Sequence, residues 1–338
     1  MEDNIDPGLN SRLTKCFLAR INTGLFDEKH HDAIRLYNGF YEGEAHLVVD
    51  LYARTLLIHN YLPPNIDAAQ LMSRVQTYYL EKIPWLNTVI VKNRRSQSPR
   101  ERAGKITFGS VASDRVQEAG IWYALHLLMH QEASFFLDTR DLRAWLKDSL
   151  AVDTLLNTFA YTGSLGVAAR AGAVNRVTYL DLQRKYLNIA KTSYTLNGLE
   201  IDKSVFIVGD FWRQVSRFIR KGREFGCVIL DPPFFSKTKS GTVDLLRSSH
   251  KLINKVRPIV TNGGFLVVIN NALFLSGKKF LELIDSLSVK DYLTIERIIP
   301  VPLDITGYPE TIVNYPPVDP TPFNHPTKIA VLRIRHKV

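Results

Sequence analysis

From Asp153 onward the chain repeats one pattern: a short apolar run, then a segment long enough for a helix, then another apolar run. DTLLNTFA, RVTYLD, SVFIVGD, GCVILD and GGFLVVINN, starting at Asp153, Arg176, Ser204, Gly226 and Gly263, are each followed by such a segment. Strands that alternate with helices belong to βαβ units, whose strands lie parallel in one sheet. Two further runs, YLTIERII from Tyr292 and KIAVLRI from Lys328, are separated by a proline-rich loop with no helix. Without a crossover helix that last pair is expected to be antiparallel. The expected fold class is therefore α/β, with a sheet of seven strands.

Before residue 130 the pattern is mixed. AHLVVDLYARTLLIHNYL reads as a β-hairpin, and DAAQLMSRVQTYYLEKI has helical spacing. A chain of 338 residues has room for two domains of common size. The expected division is a smaller N-terminal α+β domain, 1–130, and an α/β domain, 131–338. No internal repeat or low-complexity tract is seen.

Open α/β sheets bind ligands at the carboxyl ends of their parallel strands, and here those ends carry chemistry. After the first strand comes FAYTGSLGVAARAG, Phe159 to Gly172, a glycine turn running into an alanine-rich helix. Glycine allows the tight turn, and a helix N-terminus offers free N–H groups. Tyr161 stands where a dinucleotide fingerprint would have its first glycine, which argues against a pyrophosphate. Asp181 ends the second strand, where a carboxylate could accept the ribose hydroxyls of an adenosine. Asp210 ends the third, with Phe211 beside it; the pair could bond to and stack on an adenine, or the acid could simply cap the next helix. The fourth ends in Asp231, followed at once by Pro232, Pro233, Phe234 and Phe235. A strand end explains the prolines, which have no N–H for a ladder, but neither the acid nor the aromatic pair.

Lys and Arg total 43 against 33 Asp and Glu, a net charge of +10, which favours a polyanionic partner. The excess is concentrated in VKNRRSQSPRERAGK, Val91 to Lys105, where six basic residues face one acid. Arg94, Arg95, Arg100 and Arg102 are candidates for RNA backbone contacts; a solvated loop is the alternative. Two cysteines, Cys16 and Cys227, and nine scattered histidines form no disulfide framework and no metal-ligand spacing, so no metal is expected. No stretch is apolar enough to span a membrane, and the polar, acidic start lacks the character of a secretory signal. A cytoplasmic protein is expected.

The turn TGSLG, with Asp181, Asp210 and DPPFF, resembles the class I S-adenosylmethionine-dependent methyltransferases. DAIRLYNGFYEGEAHLVVDLYA, RVQEAGIWYALHL, EASFFLDTRDLR and NTFAYTGSLGVAARAGA, in that order, resemble bacterial large-subunit ribosomal RNA methyltransferases of the RlmI and RlmK type. The resemblance runs from about Asp32 to the C-terminus. It implies the Rossmann-like seven-stranded class I methyltransferase sheet, S-adenosyl-L-methionine as cofactor and RNA, 23S ribosomal RNA, as partner. A catalytic domain beginning near FFLDTRDLR would bring Phe136, Asp138 and Arg140 close to the cofactor. Phe159, Tyr161, Thr162, Gly163, Ser164, Asp181, Leu182, Asp210, Phe211 and Asp231 complete that expected cofactor set.

In methyltransferases that act on nitrogen, such a D/N-PP-F/Y turn presents the acid and a proline carbonyl to the target base while an aromatic ring stacks on it. The resemblance thus implies catalytic roles for Asp231, Pro232 and Phe234, with Pro233, Phe234, Asn270 and Asn271 facing the substrate and Phe235 packed inward. The cytosine-5 branch departs from this chain in two ways. It usually carries an N-terminal PUA domain, for which about thirty residues before Asp32 leave no room. It also places a nucleophilic cysteine after the fifth strand, where Asn270 and Asn271 stand here. Cytosine C5 needs covalent activation by a thiolate, whereas a base nitrogen has its own lone pair. The expected activity is methylation of a base nitrogen, guanine N7 or an exocyclic amine. Methylation of a small molecule, cytosine-5 methylation and a non-catalytic RNA-binding module are the alternatives, and the oligomeric state, a dimer included, stays open.

Overall fold

The computed structural model describes residues 8–21, 23–24, 26–288 and 292–336. The polar start of the chain therefore lies largely outside the described residues. The chain divides into two compact units. Unit 1 comprises residues 1–137 and 302–315, and unit 2 comprises 138–301 and 316–338. The boundary lies seven residues beyond the expected one, and a C-terminal segment rejoins the first unit.

In unit 1 the strands β1 (Ala33–Asn38), β2 (Leu47–Tyr52), β3 (Thr55–Asn60), β4 (Thr88–Asn93) and β5 (Lys105–Phe108) form one sheet in chain order. β2 and β3 are the hairpin expected from the sequence. β3 and β4 are parallel, because the helix Ala69–Lys82 carries the chain back between them. That helix and the helix Leu9–Ile21 bury Val75, Tyr79, Leu13 and Cys16 with Val49 and Ile58 of the sheet. A two-stranded ladder, β6 (Arg115–Glu118) and β7 (Ile121–Ala124), follows. The fully buried Arg20 explains why 302–315 belongs here. It forms a two-pronged pair with Glu42, at 3.0 and 2.9 Å, and donates to the Asp304 carbonyl, while the Thr311 hydroxyl donates to Glu42. A buried ion pair is tolerated when its remaining lone pairs and protons are used, and the returning segment shares that role with Cys16, Arg35 and Asn38.

Unit 2 is built on β8 (Thr154–Thr158), β9 (Arg176–Asp181), β10 (Phe206–Val208), β11 (Phe225–Leu230), β14 (Val260–Asn270), β15 (Leu293–Ile299) and β16 (Lys328–Ile334), with a hairpin, β12 (Phe235–Thr238) and β13 (Gly241–Asp244), inserted after β11. The sheet order is β10-β9-β8-β11-β14-β16-β15. The first five in that order are parallel, and β16 runs antiparallel between β14 and β15. Val228, Ile229, Leu266 and Val267 are wholly buried, as expected of central strands covered by helices on both faces. The strand order reverses at β8, whose neighbours are β9 and β11. Such a reversal opens a crevice at the carboxyl edge.

The proline-rich segment 316–328, read from the sequence as either a lid or a surface connection, is fastened within unit 2. Asn324 bonds to both the N–H and the carbonyl of Val301, Phe323 is buried, and the Gly277 N–H donates to Asp319. Among the described residues no helix is long and apolar enough to cross a membrane.

Candidate active site

The register of β8 assembles the site. Thr158 pairs with Leu180 on one side and with Leu230 on the other, so Phe159, Asp181 and Asp231 all leave the sheet at its carboxyl edge. Just beyond, Phe159 and Tyr161 adopt left-handed φ values of 51° and 50°, and Gly163 one of 79°. A non-glycine side chain in that region is strained, and such strain concentrates at functional sites. The Ala160 N–H donates to the Leu180 carbonyl at 3.0 Å, and the Tyr161 N–H donates to the Asp181 carboxylate at 2.8 Å. Held in this way, the loop leads into the helix Ser164–Ala171, whose first turn has no side-chain cap. Gly163 and Gly166 have a packing reason as well: a Cβ at Gly166 would sit 2.4 Å from the Tyr179 ring. Thr162 is buried beneath the turn and Ser164 is half-buried.

Asp181 ties the neighbouring loops together. Besides Tyr161 it accepts the Gln183 N–H at 2.8 Å, and its own carbonyl accepts the Gly209 N–H at 2.9 Å. Burial raises its carboxyl above the ordinary value, against the lowering effect of the Gln183, Tyr161 and Leu182 amides. Each carboxylate oxygen has a second lone pair, so the group can still accept ligand hydroxyls. Leu182 beside it and Val208 at the end of β10 are exposed apolar side chains on this edge; Val208 was not singled out from the sequence.

Asp210 caps the helix Phe211–Arg220 through the Arg213 N–H at 3.1 Å, and its other oxygen accepts the Thr238 hydroxyl at 2.6 Å. Burial alone would raise this carboxyl, but those bonds hold it below the usual range. Phe211 is only 5% exposed and stacks on Phe159, centroids 4.7 Å apart. The expected stacking of Phe211 on an adenine is therefore corrected: its ring belongs to the core and supports the loop from beneath.

Asp231 is half-buried at the end of β11. Burial, and then the negative charge of Asp138, push its carboxyl from 3.8 up to about 7. Asp138 accepts the Thr327 hydroxyl at 3.0 Å. Pro232 is buried and Pro233 exposed, and neither carbonyl accepts a hydrogen bond among the described residues. Phe234 is 48% exposed and Phe235 58%. Phe235 therefore does not pack inward as expected; it opens the β12–β13 hairpin with its ring outside. Asn270 is also corrected. It is fully buried, its amide donating to Leu245 and Ser249 and accepting the Ala272 N–H, while the buried Lys328 ammonium donates to the Ala272 carbonyl. Asn270 thus fastens the turn after β14 and leaves Asn271, Leu273 and Phe274 exposed. Arg140 opens the helix Arg140–Asp148 in unit 2, and Phe136 falls in unit 1, where it is exposed.

The basic segment of unit 1 is not a loop throughout. It includes the end of β4, a short helix Pro99–Ala103 and Lys105 of β5. Lys92 is buried, its ammonium donating to the His130 and Glu132 carbonyls at 2.6 and 3.0 Å, and burial lowers it to about 7. Arg94 bonds to the Gln131 carbonyl and the Glu132 carboxylate, and Arg102 to the Ser96 and Gln97 carbonyls. Both were expected to face RNA, and both instead brace the segment. Arg95 and Arg100 are exposed.

These features fit S-adenosylmethionine: a strained loop beside free helix amides, a desolvated carboxylate twenty residues on for hydroxyl groups, and a second acid at the crevice. The sequence profile of the S-adenosylmethionine-dependent methyltransferase family matches residues 87–301. The chain belongs to this family. Among relatives of this methyltransferase, the Bacillus subtilis protein YwbD, assigned by name to the ribosomal RNA large-subunit methyltransferases, is 29% identical over 82% of this chain and 69% of its own length. Ribosomal RNA large subunit methyltransferase I of an Enterobacter species is 25% identical over 76% of this chain and 65% of its own. Ribosomal RNA large subunit methyltransferase K/L of Psychrobacter arcticus is 27% identical over 70% of this chain but only 32% of its own. The chain thus spans from a third to about two thirds of these relatives. In fold, the crystal structure of SMU.776, named as a methyltransferase and complexed with SAH, matches with a TM-score of 0.80 at 22% identity, covering 99% of this chain and 83% of that one. Among the described residues no group of three or more His, Cys, Asp or Glu side chains could hold a metal.

Proposed function

We propose that this methyltransferase modifies a base nitrogen of large-subunit ribosomal RNA. The observation that carries the choice of nitrogen is the state of the two thiols. Cys227 is fully buried within β11 and its thiol is pushed far up by burial alone. Cys16 is buried in unit 1, and burial followed by the Glu42 charge raises it to about 12. Neither provides the thiolate that addition to cytosine requires. The names of the relatives and the exposed Arg95 and Arg100 support RNA as substrate.

When bound, S-adenosylmethionine supplies a methyl group on a sulfonium sulfur, which a nitrogen lone pair can attack. Asp181 would accept the ribose hydroxyls, and the Phe159–Gly163 loop and the helix amides would hold the rest of the cofactor, with Arg140 and Asp210 nearby in unit 2. Phe234 offers a ring for a flipped base to stack on, and the Pro232 and Pro233 carbonyls accept from its amino or imino edge. Asp231 stabilises the positive charge that develops on the nitrogen and, for an amino group, takes up the proton. Asn271 is the remaining candidate on the substrate side. Nucleoside mass spectrometry of ribosomal RNA from cells with and without the protein tests this reading. Loss of an N-methylated nucleoside is the expected result; loss of 5-methylcytidine would overturn it.

A further inference from the structure

A second candidate site lies within unit 1. A cavity of about 830 Å³ is bounded by the 61–68 loop, the helix Ala69–Lys82, and the ends of β4 and β5. Its apolar lining includes Leu62, Ile66, Met72 and Val91. Polar groups at its margin have unused capacity among the described residues. The Asn93 side-chain oxygen accepts from Asn60 at 3.0 Å, which leaves its NH₂ undonated. The Gln76 oxygen accepts the Thr107 hydroxyl at 2.6 Å, which leaves its NH₂ undonated as well. Lys105 and Glu101 add an ammonium and a carboxylate to its lining. The exposed Arg95 and Arg100 lie on the segment that joins Asn93 to Glu101.

We infer that this cavity holds an unpaired nucleotide of the RNA substrate, separate from the nucleotide that is methylated. The inference rests on the RNA reading above. An apolar surface with amide donors and a carboxylate at its edge matches a base, which presents a flat face and a rim of donors and acceptors. Sequence-specific RNA recognition uses splayed single-stranded bases of this kind, and flanking cations follow the phosphates. Arg94 and Arg102, tied to backbone carbonyls, keep the segment in place so that Arg95 and Arg100 project from it. The cavity volume lies within the usual range for ligand sites.

Two variants of the full chain separate the base from the phosphates. Ser73→Trp fills the cavity from an exposed position on the helix, and Gln76→Ala removes an amide donor without adding bulk. Binding of a labelled single-stranded ribosomal RNA fragment is measured against salt, with S-adenosylmethionine calorimetry and thermal melting as controls. Ser73→Trp should weaken RNA binding about tenfold with an unchanged salt slope, and Gln76→Ala by a smaller factor. The pair Arg95→Ala, Arg100→Ala should reduce the slope by about two. Photocrosslinking of 4-thiouridine-labelled RNA to wild-type protein should map to residues 62–76. RNA bound equally by wild type and both cavity variants would overturn the cavity while leaving the RNA reading intact. Absence of RNA binding by the wild type would sink both, and crosslinking of a protein rather than RNA at 62–76 would reassign the cavity to a protein partner.

Discussion

Asp231→Asn removes the ionisable group whose environment is most perturbed among the site carboxyls, and it yields a pH-dependent stability difference that can be worked out in advance. The carboxyl sits near 3.8 when unfolded and near 7 in the fold. Because the folded value is the higher one, the native state holds this proton more tightly. The associated stability is fully present below pH 3.8 and is lost as pH rises through about 7. The full displacement corresponds to about 4 kcal/mol, of which roughly 2–3 kcal/mol is lost between pH 5 and pH 8. Asparagine carries no charge at any pH, so the stability of Asp231→Asn relative to wild type should improve by about 2–3 kcal/mol between pH 5 and pH 8. Hydrogen exchange of the β8 and β11 amides reports unit 2 by itself and avoids assuming that a two-unit chain unfolds in one step. Turnover should change in the opposite sense. Wild-type activity should rise through about pH 7 as the carboxylate forms, while the variant should be roughly 100- to 1000-fold slower and lack that inflection. A stability difference independent of pH, together with a wild-type rate flat from pH 5 to 8, would refute the argument.

Asp138→Asn removes the second cause of the Asp231 perturbation, so the inflection in turnover should move to lower pH while cofactor affinity, read by calorimetry, changes little; an unmoved inflection would show that Asp138 has no effect on Asp231. Asp181→Ala should weaken S-adenosylmethionine binding by about 1–3 kcal/mol, since it removes a hydroxyl acceptor and leaves the Tyr161 and Gln183 amides without their partner. Calorimetry giving wild-type affinity would take Asp181 out of the site. Gly166→Ala drives a methyl into the buried Tyr179 ring and should cost about 1–3 kcal/mol by urea denaturation; unchanged stability would mean that the helix can shift freely. The double variant Cys16→Ser, Cys227→Ala should keep its turnover, at a stability cost of about 1 kcal/mol for the small cavity at Cys227. An RNA adduct trapped on either thiol would restore the cytosine-5 mechanism.

Local pattern made much of the second unit legible. Apolar runs of strand length with helix-length spacers predict βαβ units wherever they occur, and all seven expected strands of the sheet are present, with the last pair antiparallel. The hairpin of β2 and β3 and the helix Ala69–Lys82 follow from equally local alternation. The carboxylates at the strand ends were legible for the same reason: where a strand ends, its last residue lies at the edge.

What the sequence by itself determined was this inventory of elements and the residues that close them. Tertiary structure alone decided which side chains face one another. Asp138 perturbs Asp231 across a separation no periodicity spans, and Glu42 is completed by Thr311 from the far end of the chain. Asn270, Phe211, Lys92 and Arg94 look in sequence like surface or ligand groups. Neighbours from distant segments take up their hydrogen bonds or cover their rings, so they hold the fold in place. Phe235 shows the converse, an aromatic expected inside that the β12–β13 hairpin turns out. The physical reason is the same in each case: backbone conformation and side-chain period depend on adjacent residues, whereas burial and the partner of a polar group depend on which distant elements pack against them.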